Sequence, residues 1–111
     1  GDCSLIRAIG NHTLNPSILA ELSGRQGSRL LWAFGKIGIA QEDLVQEIGA
    51  QMMKHDLTGQ EISMAVWGLA KVKSRNYELL RAIAEYTVTS GVVTDFSAQS
   101  VGNTAWAYAT L

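Results

Sequence analysis

Ala65-Val66-Trp67-Gly68-Leu69-Ala70-Lys71 has two counterparts in the chain, Leu30-Leu31-Trp32-Ala33-Phe34-Gly35-Lys36 before it and Thr104-Ala105-Trp106-Ala107-Tyr108-Ala109-Thr110 after it. In each, a small or aliphatic pair precedes the tryptophan and a small, bulky, small series follows it, and the tryptophans stand 35 and 39 residues apart. Self-similarity at such a period marks a stacked array, because one unit cannot bury its own apolar face and needs neighbours. The expected fold is all-α. It is a solenoid of three helix-turn-helix repeats over 2–40, 41–75 and 76–111, forming one segment across 1–111. The third repeat is cut short, and the chain opens on Gly1 rather than Met, so the sequence reads as a fragment of a longer array.

Upstream of each tryptophan lies a helix start. Ser23-Gly24-Arg25-Gln26 and Thr58-Gly59-Gln60-Glu61 are capping boxes, in which the hydroxyl takes the amide three residues on and the amide or carboxylate reaches back. Leu57 and Ile62 occupy the two positions of a hydrophobic staple, and Phe96 and Val101 repeat it around Ser97, with Ser100 replacing the acidic or amide partner. These signals predict second helices over roughly 23–37, 58–73 and 97–111, with Gly38 ending the first of them.

Further upstream, Leu5, Ile6, Ile9 and Thr13 share one side of a helix, as do Leu44, Val45, Ile48 and Met52, and then Leu79, Leu80, Ile83 and Thr87. Asn15-Pro16 ends the first of these helices and leaves Ile18, Leu19 and Leu22 in an apolar connector. Copies one and three align without a gap from Ser4 against Glu78 to Ile37 against Leu111, and 8 of those 34 pairs are identical. The middle copy fits both once four connector residues are removed, so length varies only between the two helices of a repeat.

Composition narrows the function. Net charge is −1, which excludes binding nucleic acid by bulk electrostatics alone. The charge is graded along the chain: 2–40 carry +2, 41–75 carry −1 and 76–111 carry −2. No apolar run approaches the roughly 18 residues of a membrane span. The lone Cys3 fits a reducing compartment. His12 and His55 are not equivalent in the repeat, and there is no zinc spacing, phosphate-binding glycine loop or HExxH pattern. Neither an enzyme, nor a cofactor or metal, nor a small-molecule substrate is expected.

Two sets of repeated side chains remain as candidates for binding. At about 100° per residue, Trp32 points nearly opposite the Leu30, Leu31, Phe34 and Ile37 face, flanked by Ser28 and Gly35. Ser63 and Ala70 flank Trp67 in the same way, and Gly102 and Ala109 flank Trp106. The first expectation is that Trp32, Trp67 and Trp106 form a packing ladder between repeats, with small neighbours leaving a slot for the adjacent helix. The second is a row of rings on which bases stack.

On the polar side of each first helix lie Ser4, Arg7 and Asn11, then Asp43, Gln46 and Ala50, then Glu78, Arg81 and Glu85. The Arg7, Gln46 and Arg81 column keeps a long hydrogen-bonding side chain in every copy, and such a ladder suits successive nucleotides. Lys36, Lys71, Lys73 and Arg75 gather at the ends of the second helices, where the helix dipole favours cations and phosphates could be gripped. The candidates for RNA contact are therefore Arg7, Asn11, Gln46, Arg81, Lys36 and Lys71.

The Thr58-Gly59-Gln60-Glu61-Ile62 stretch leading to Ala65-Val66-Trp67-Gly68-Leu69-Ala70 resembles the octotricopeptide repeat. So does Phe96-Ser97-Ala98-Gln99-Ser100-Val101 leading to Asn103-Thr104-Ala105-Trp106-Ala107-Tyr108-Ala109. That family's helix carries a phenylalanine-serine cap, a glutamine, then asparagine and a tryptophan followed by alternating small and bulky residues. Similar repeats precede the RAP domain and occur in FAST-kinase-like proteins. The resemblance implies a paired-helix solenoid that binds single-stranded RNA in a chloroplast or mitochondrion and governs its stability, processing or translation. The rival expectation is an α-solenoid scaffold for protein partners. Its tetratricopeptide form is disfavoured by the period and by the missing Trp-Leu-Gly-Tyr order.

Overall fold

The computed structural model describes residues 3–111 and is helical throughout, with no strand among the described residues. Gly1 and Asp2, where the first expected repeat begins, lie outside them. The helices are α1 (Cys3–Thr13), α2 (Pro16–Leu19), α3 (Gly24–Ile37), α4 (Glu42–Met52), α5 (Gly59–Lys71), α6 (Tyr77–Thr89) and α7 (Ala98–Thr110), with a 3-10 turn at Val92–Asp95 before α7. None is long and apolar enough to cross a membrane.

The helix starts are made as the capping signals predict. Ser23 accepts from the Gln26 amide at 3.1 Å while Gln26 Oε1 accepts from the Ser23 amide at 3.0 Å. Thr58 and Glu61 exchange the same pair of bonds at 3.2 and 2.9 Å. At α7 only the forward bond remains, Ser97 Oγ accepting from the Ser100 amide at 3.1 Å, and the Ser97 hydroxyl turns to Ser100 Oγ. Gly38 ends α3 in the left-handed region at φ 89°, which costs a residue without Cβ little.

The connector after α1 differs from expectation. Pro16 ends one helix and begins another, since its fixed φ and missing N–H suit the first helical position. Asn15 caps this short α2 by accepting from the Ser17 amide at 3.1 Å.

Helices α3, α5 and α7 lie side by side with α5 in the middle, and α4 packs on α3. The core runs between these layers, from Leu31 and Phe34 through Leu44, Ile48 and Met52 to Ile62, Leu69 and Ile83, all 1% exposed or less. Burial of each such side chain contributes about 1.5–3 kcal/mol.

Several contacts recur from one copy to the next. A Cβ on Gly10 would fall 2.6 Å from Leu44 Cδ2, and Gly49 meets the equivalent Leu79 in the same way. Gly24 lies against Leu57, and Gly59 lies against Phe96. Where α3 crosses α5 the backbones themselves touch: a Cβ on Gly35 would sit 2.6 Å from Gly68 Cα, and one on Gly68 would strike the Leu31 carbonyl oxygen. At the α5/α7 crossing the corresponding residues are Ala70 and Ala107, both buried.

Candidate nucleic-acid interface

The small residues beside Trp32 and Trp67 make room for a helix, and the rings are left outside it. Ser28 and Gly35 on α3, and Ser63 and Ala70 on α5, are buried in the helix crossings. Trp32 is 37% exposed, Trp106 is 44% exposed and Trp67 is half-buried. The expected slot exists, but it holds the neighbouring backbone. With backbones this close, large rings cannot fit between them and are displaced to the surface.

The ladder is formed only in part. Trp32 and Trp67 stand 6.1 Å apart between centroids with their planes tilted by 31°, within the range of direct aromatic contact. They make one platform rather than two jaws. Trp106 makes no ring contact with them among the described residues. Lys36 Nζ lies 5.9 Å from the Trp32 ring centroid, and Lys71 Nζ lies 5.7 Å from that of Trp67. Both lysines come four residues after their tryptophan, one helical turn on, so the helix geometry itself sets each cation over its ring.

A groove of about 390 Å³ opens beside this platform. Trp32, Met64 and Trp67 form its apolar wall, and Gln60, Gln99 and Asn103 supply amide donors and acceptors. Ser63, Ser97 and Ser100 complete the lining, Ser63 Oγ donating to Ser100 Oγ at 3.4 Å across the α5/α7 crossing. No carboxylate lines it. An apolar wall with stacking rings, adjacent cations and hydrogen-bonding amides has the chemistry to hold a nucleobase and its phosphate.

The candidates on the first helices stand elsewhere. Arg7, Asn11, Gln46 and Arg81 are all exposed, and none of them lines the tryptophan groove. Asn11 Oδ1 accepts from Gln41 Nε2 at 3.4 Å. Gln46 lines a different cavity, of about 560 Å³, between α4 and α6. Glu42, Glu78 and Arg75 also line that cavity, so it mixes both signs of charge. Of the six sequence candidates, the structure brings only Lys36 and Lys71 to the rings.

Gln60, Gln99 and Asn103 were visible in the sequence only as repeat-motif residues. Their signal was positional: they precede a tryptophan by 7 and 3 residues, which places them on its side of the helix.

His55 Nε2 lies 2.9 Å from the Leu22 carbonyl oxygen and so ties two connectors together. Among the described residues, no group of three or more His, Cys, Asp or Glu could hold a metal ion. Comparison with family models, with curated proteins and with solved structures finds no match.

Proposed function

We propose that the chain is a sequence-selective single-stranded RNA-binding module built as an α-solenoid of three helix pairs. The solenoid reading is supported by the recurring Gly10–Leu44 and Gly49–Leu79 contacts and by the α3/α5 and α5/α7 crossings. The observation that carries the functional reading is the exposed Trp32–Trp67 platform with a lysine over each ring. Sequence reasoning favours the Arg7, Gln46 and Arg81 column over the rings. The exposure of the rings and the acid-free groove support the platform as the site proposed here.

Bases stack on the outer faces of the platform, Gln60, Gln99 and Asn103 read their edges, and Lys36 and Lys71 meet phosphates. The resemblance to octotricopeptide repeats supports a role in organellar RNA stability, processing or translation.

The test is a low-salt titration of the 111-residue chain with single-stranded RNA, followed by tryptophan emission. Trp67→Ala is expected to weaken binding by roughly tenfold, since stacking is worth about 1–3 kcal/mol per base. Lys36→Met with Lys71→Met lowers the salt slope by about 0.7 per lysine. Arg7→Ala with Arg81→Ala leaves both quantities unchanged. Loss of binding in the arginine variant alone would return the site to the first helices. Retained RNA binding in Trp67→Ala, or a protein partner held without regard to RNA, would favour the scaffold reading.

A further inference from the structure

The positions seven before and four after each tryptophan lie on the ring's own side of the helix, because both spacings are close to whole numbers of turns. Together they make one stripe per second helix: Arg25, Trp32 and Lys36 on α3, Gln60, Trp67 and Lys71 on α5, and Gln99, Trp106 and Thr110 on α7. The outer members of every stripe are exposed. Gln60 is exposed although α5 has a helix on either side, so the openness of Arg25 at the same position owes nothing to its place in the chain.

Charge along the stripes is ordered. It falls from +2 on α3 to +1 on α5 and to zero on α7, and none of the ten Asp and Glu residues stands on a stripe. In a chain of net charge −1, these positions therefore hold cations and no acid. Glu61 Oε1 lies beside Gly24, yet it is turned onto its own helix start, accepting from the Thr58 amide at 2.9 Å. Arg25 forms no ion pair among the described residues.

We propose that the strand held at the tryptophan groove continues onto α3, where Arg25 and Lys36 grip its phosphates on either side of Trp32. The proposal rests on the RNA reading of the platform and adds Arg25 to the residues that carry it. Arg25 and Lys36 are about 16 Å apart along the helix axis, so they meet separate phosphates with the ring between them. A guanidinium stays charged at every working pH and meets two phosphate oxygens at once.

The gradient divides the labour between the helices. Phosphate contacts on α3 carry affinity without sequence, and the amides of α5 and α7 read base edges. An acidic protein segment would find the two cations, but it has nothing to stack on the exposed ring between them.

The 111-residue chain is titrated with a short labelled single-stranded RNA at a series of salt concentrations, and binding is followed by anisotropy. Arg25→Gln gives the first copy the residue that the second and third already carry, so helical circular dichroism is expected to stay unchanged. The salt slope is expected to fall by about 0.7 and low-salt affinity several-fold, with the ranking of RNA sequences as in the wild type. Arg7→Gln removes the same charge from the same copy, on α1, and is expected to change neither slope nor affinity. A wild-type chain that binds RNA and loses affinity in Trp67→Ala, but keeps its slope in Arg25→Gln, overturns the path over α3 and leaves the platform standing. Equal falls in Arg25→Gln and Arg7→Gln overturn it as well, since net charge alone then accounts for both. Polyglutamate bound as tightly as RNA, with the same dependence on Arg25, assigns the surface to an acidic protein instead. A chain that binds no RNA removes the platform reading and this inference together.

Discussion

The α3/α5 and α5/α7 crossings use the same positions of the repeat with different residues. At α3/α5 Gly35 meets Gly68, the backbones touch, and Trp32 and Trp67 come into ring contact beneath two lysines. At α5/α7 Ala70 and Ala107 take those places, Ser63 bonds Ser100, and Trp106 stands clear of Trp67, with Thr110 where the other helices carry lysine. At the point of closest approach the two arrangements differ by one methyl group on each helix. Side-chain size at a crossing sets how closely the axes approach, and that distance decides whether neighbouring surface rings meet.

The largest effect expected from breaking this contrast is at Gly68. Gly68→Val places atoms on the Leu31 carbonyl, which cannot yield without moving the helix. A loss of about 3 kcal/mol or more is expected, against about 1–3 kcal/mol for Ala107→Val, where a Cβ is already accommodated. Denaturant titration of both variants measures it. Equal losses would mean that the two crossings are not differently close.

A double-mutant cycle sharpens the comparison at the rings. Trp32→Ala and Trp67→Ala are expected to show a coupling of about 0.5–1.5 kcal/mol, and Trp67→Ala and Trp106→Ala a coupling near zero. The two helix starts offer a smaller contrast. Thr58→Ala removes a hydroxyl whose partner also reaches back, and is expected to cost about 1 kcal/mol. Ser97→Ala at the one-way cap of α7 costs less, and melting temperatures of the pair rank them.

A further effect, seen only at high pH, concerns the last helix. Burial pushes the Tyr108 hydroxyl from 10.0 up to about 12, while a backbone hydrogen bond works in the opposite direction. In the structure that hydroxyl donates to the Leu80 carbonyl at 2.6 Å. The folded chain therefore holds this proton more tightly than the unfolded chain does. Its contribution is complete below the unfolded value and is lost as pH rises through the window from about 10 to 12. Tyr108→Phe is expected to flatten the fall of the denaturation midpoint across that window.

Periodicity and caps made the helices legible. Ser23, Thr58 and Ser97 each mark a helix start that the structure contains, and the apolar spacing of Leu44, Val45, Ile48 and Met52 marks α4. Local hydrogen-bonding chemistry is written in adjacent residues, so it can be read without the fold. Helix α2 was not legible because Pro16 is an end signal and a start signal at once, and only the packing of Leu19 against the core decides between them. The binding site was legible in its parts. Lys36 and Lys71 were among the candidates, whereas Gln60, Gln99 and Asn103 gained meaning only when the α5/α7 crossing brought them beside the rings.

By itself, the sequence determined the helical class, the three-fold recurrence, the helix starts and the side of α3 and α5 on which each tryptophan lies, since all of these follow from short-range spacing. Tertiary structure alone decided which side of each helix is covered. Val101 and Ile62 hold the same place in the repeat, yet one is open and the other sealed, because burial depends on the presence of a neighbour and not on the residue. The fate of Trp32 and Trp67 also follows from what their neighbours allow. Glycine at position 68 lets two backbones close upon each other, and the rings beside that contact have nowhere to go but the surface.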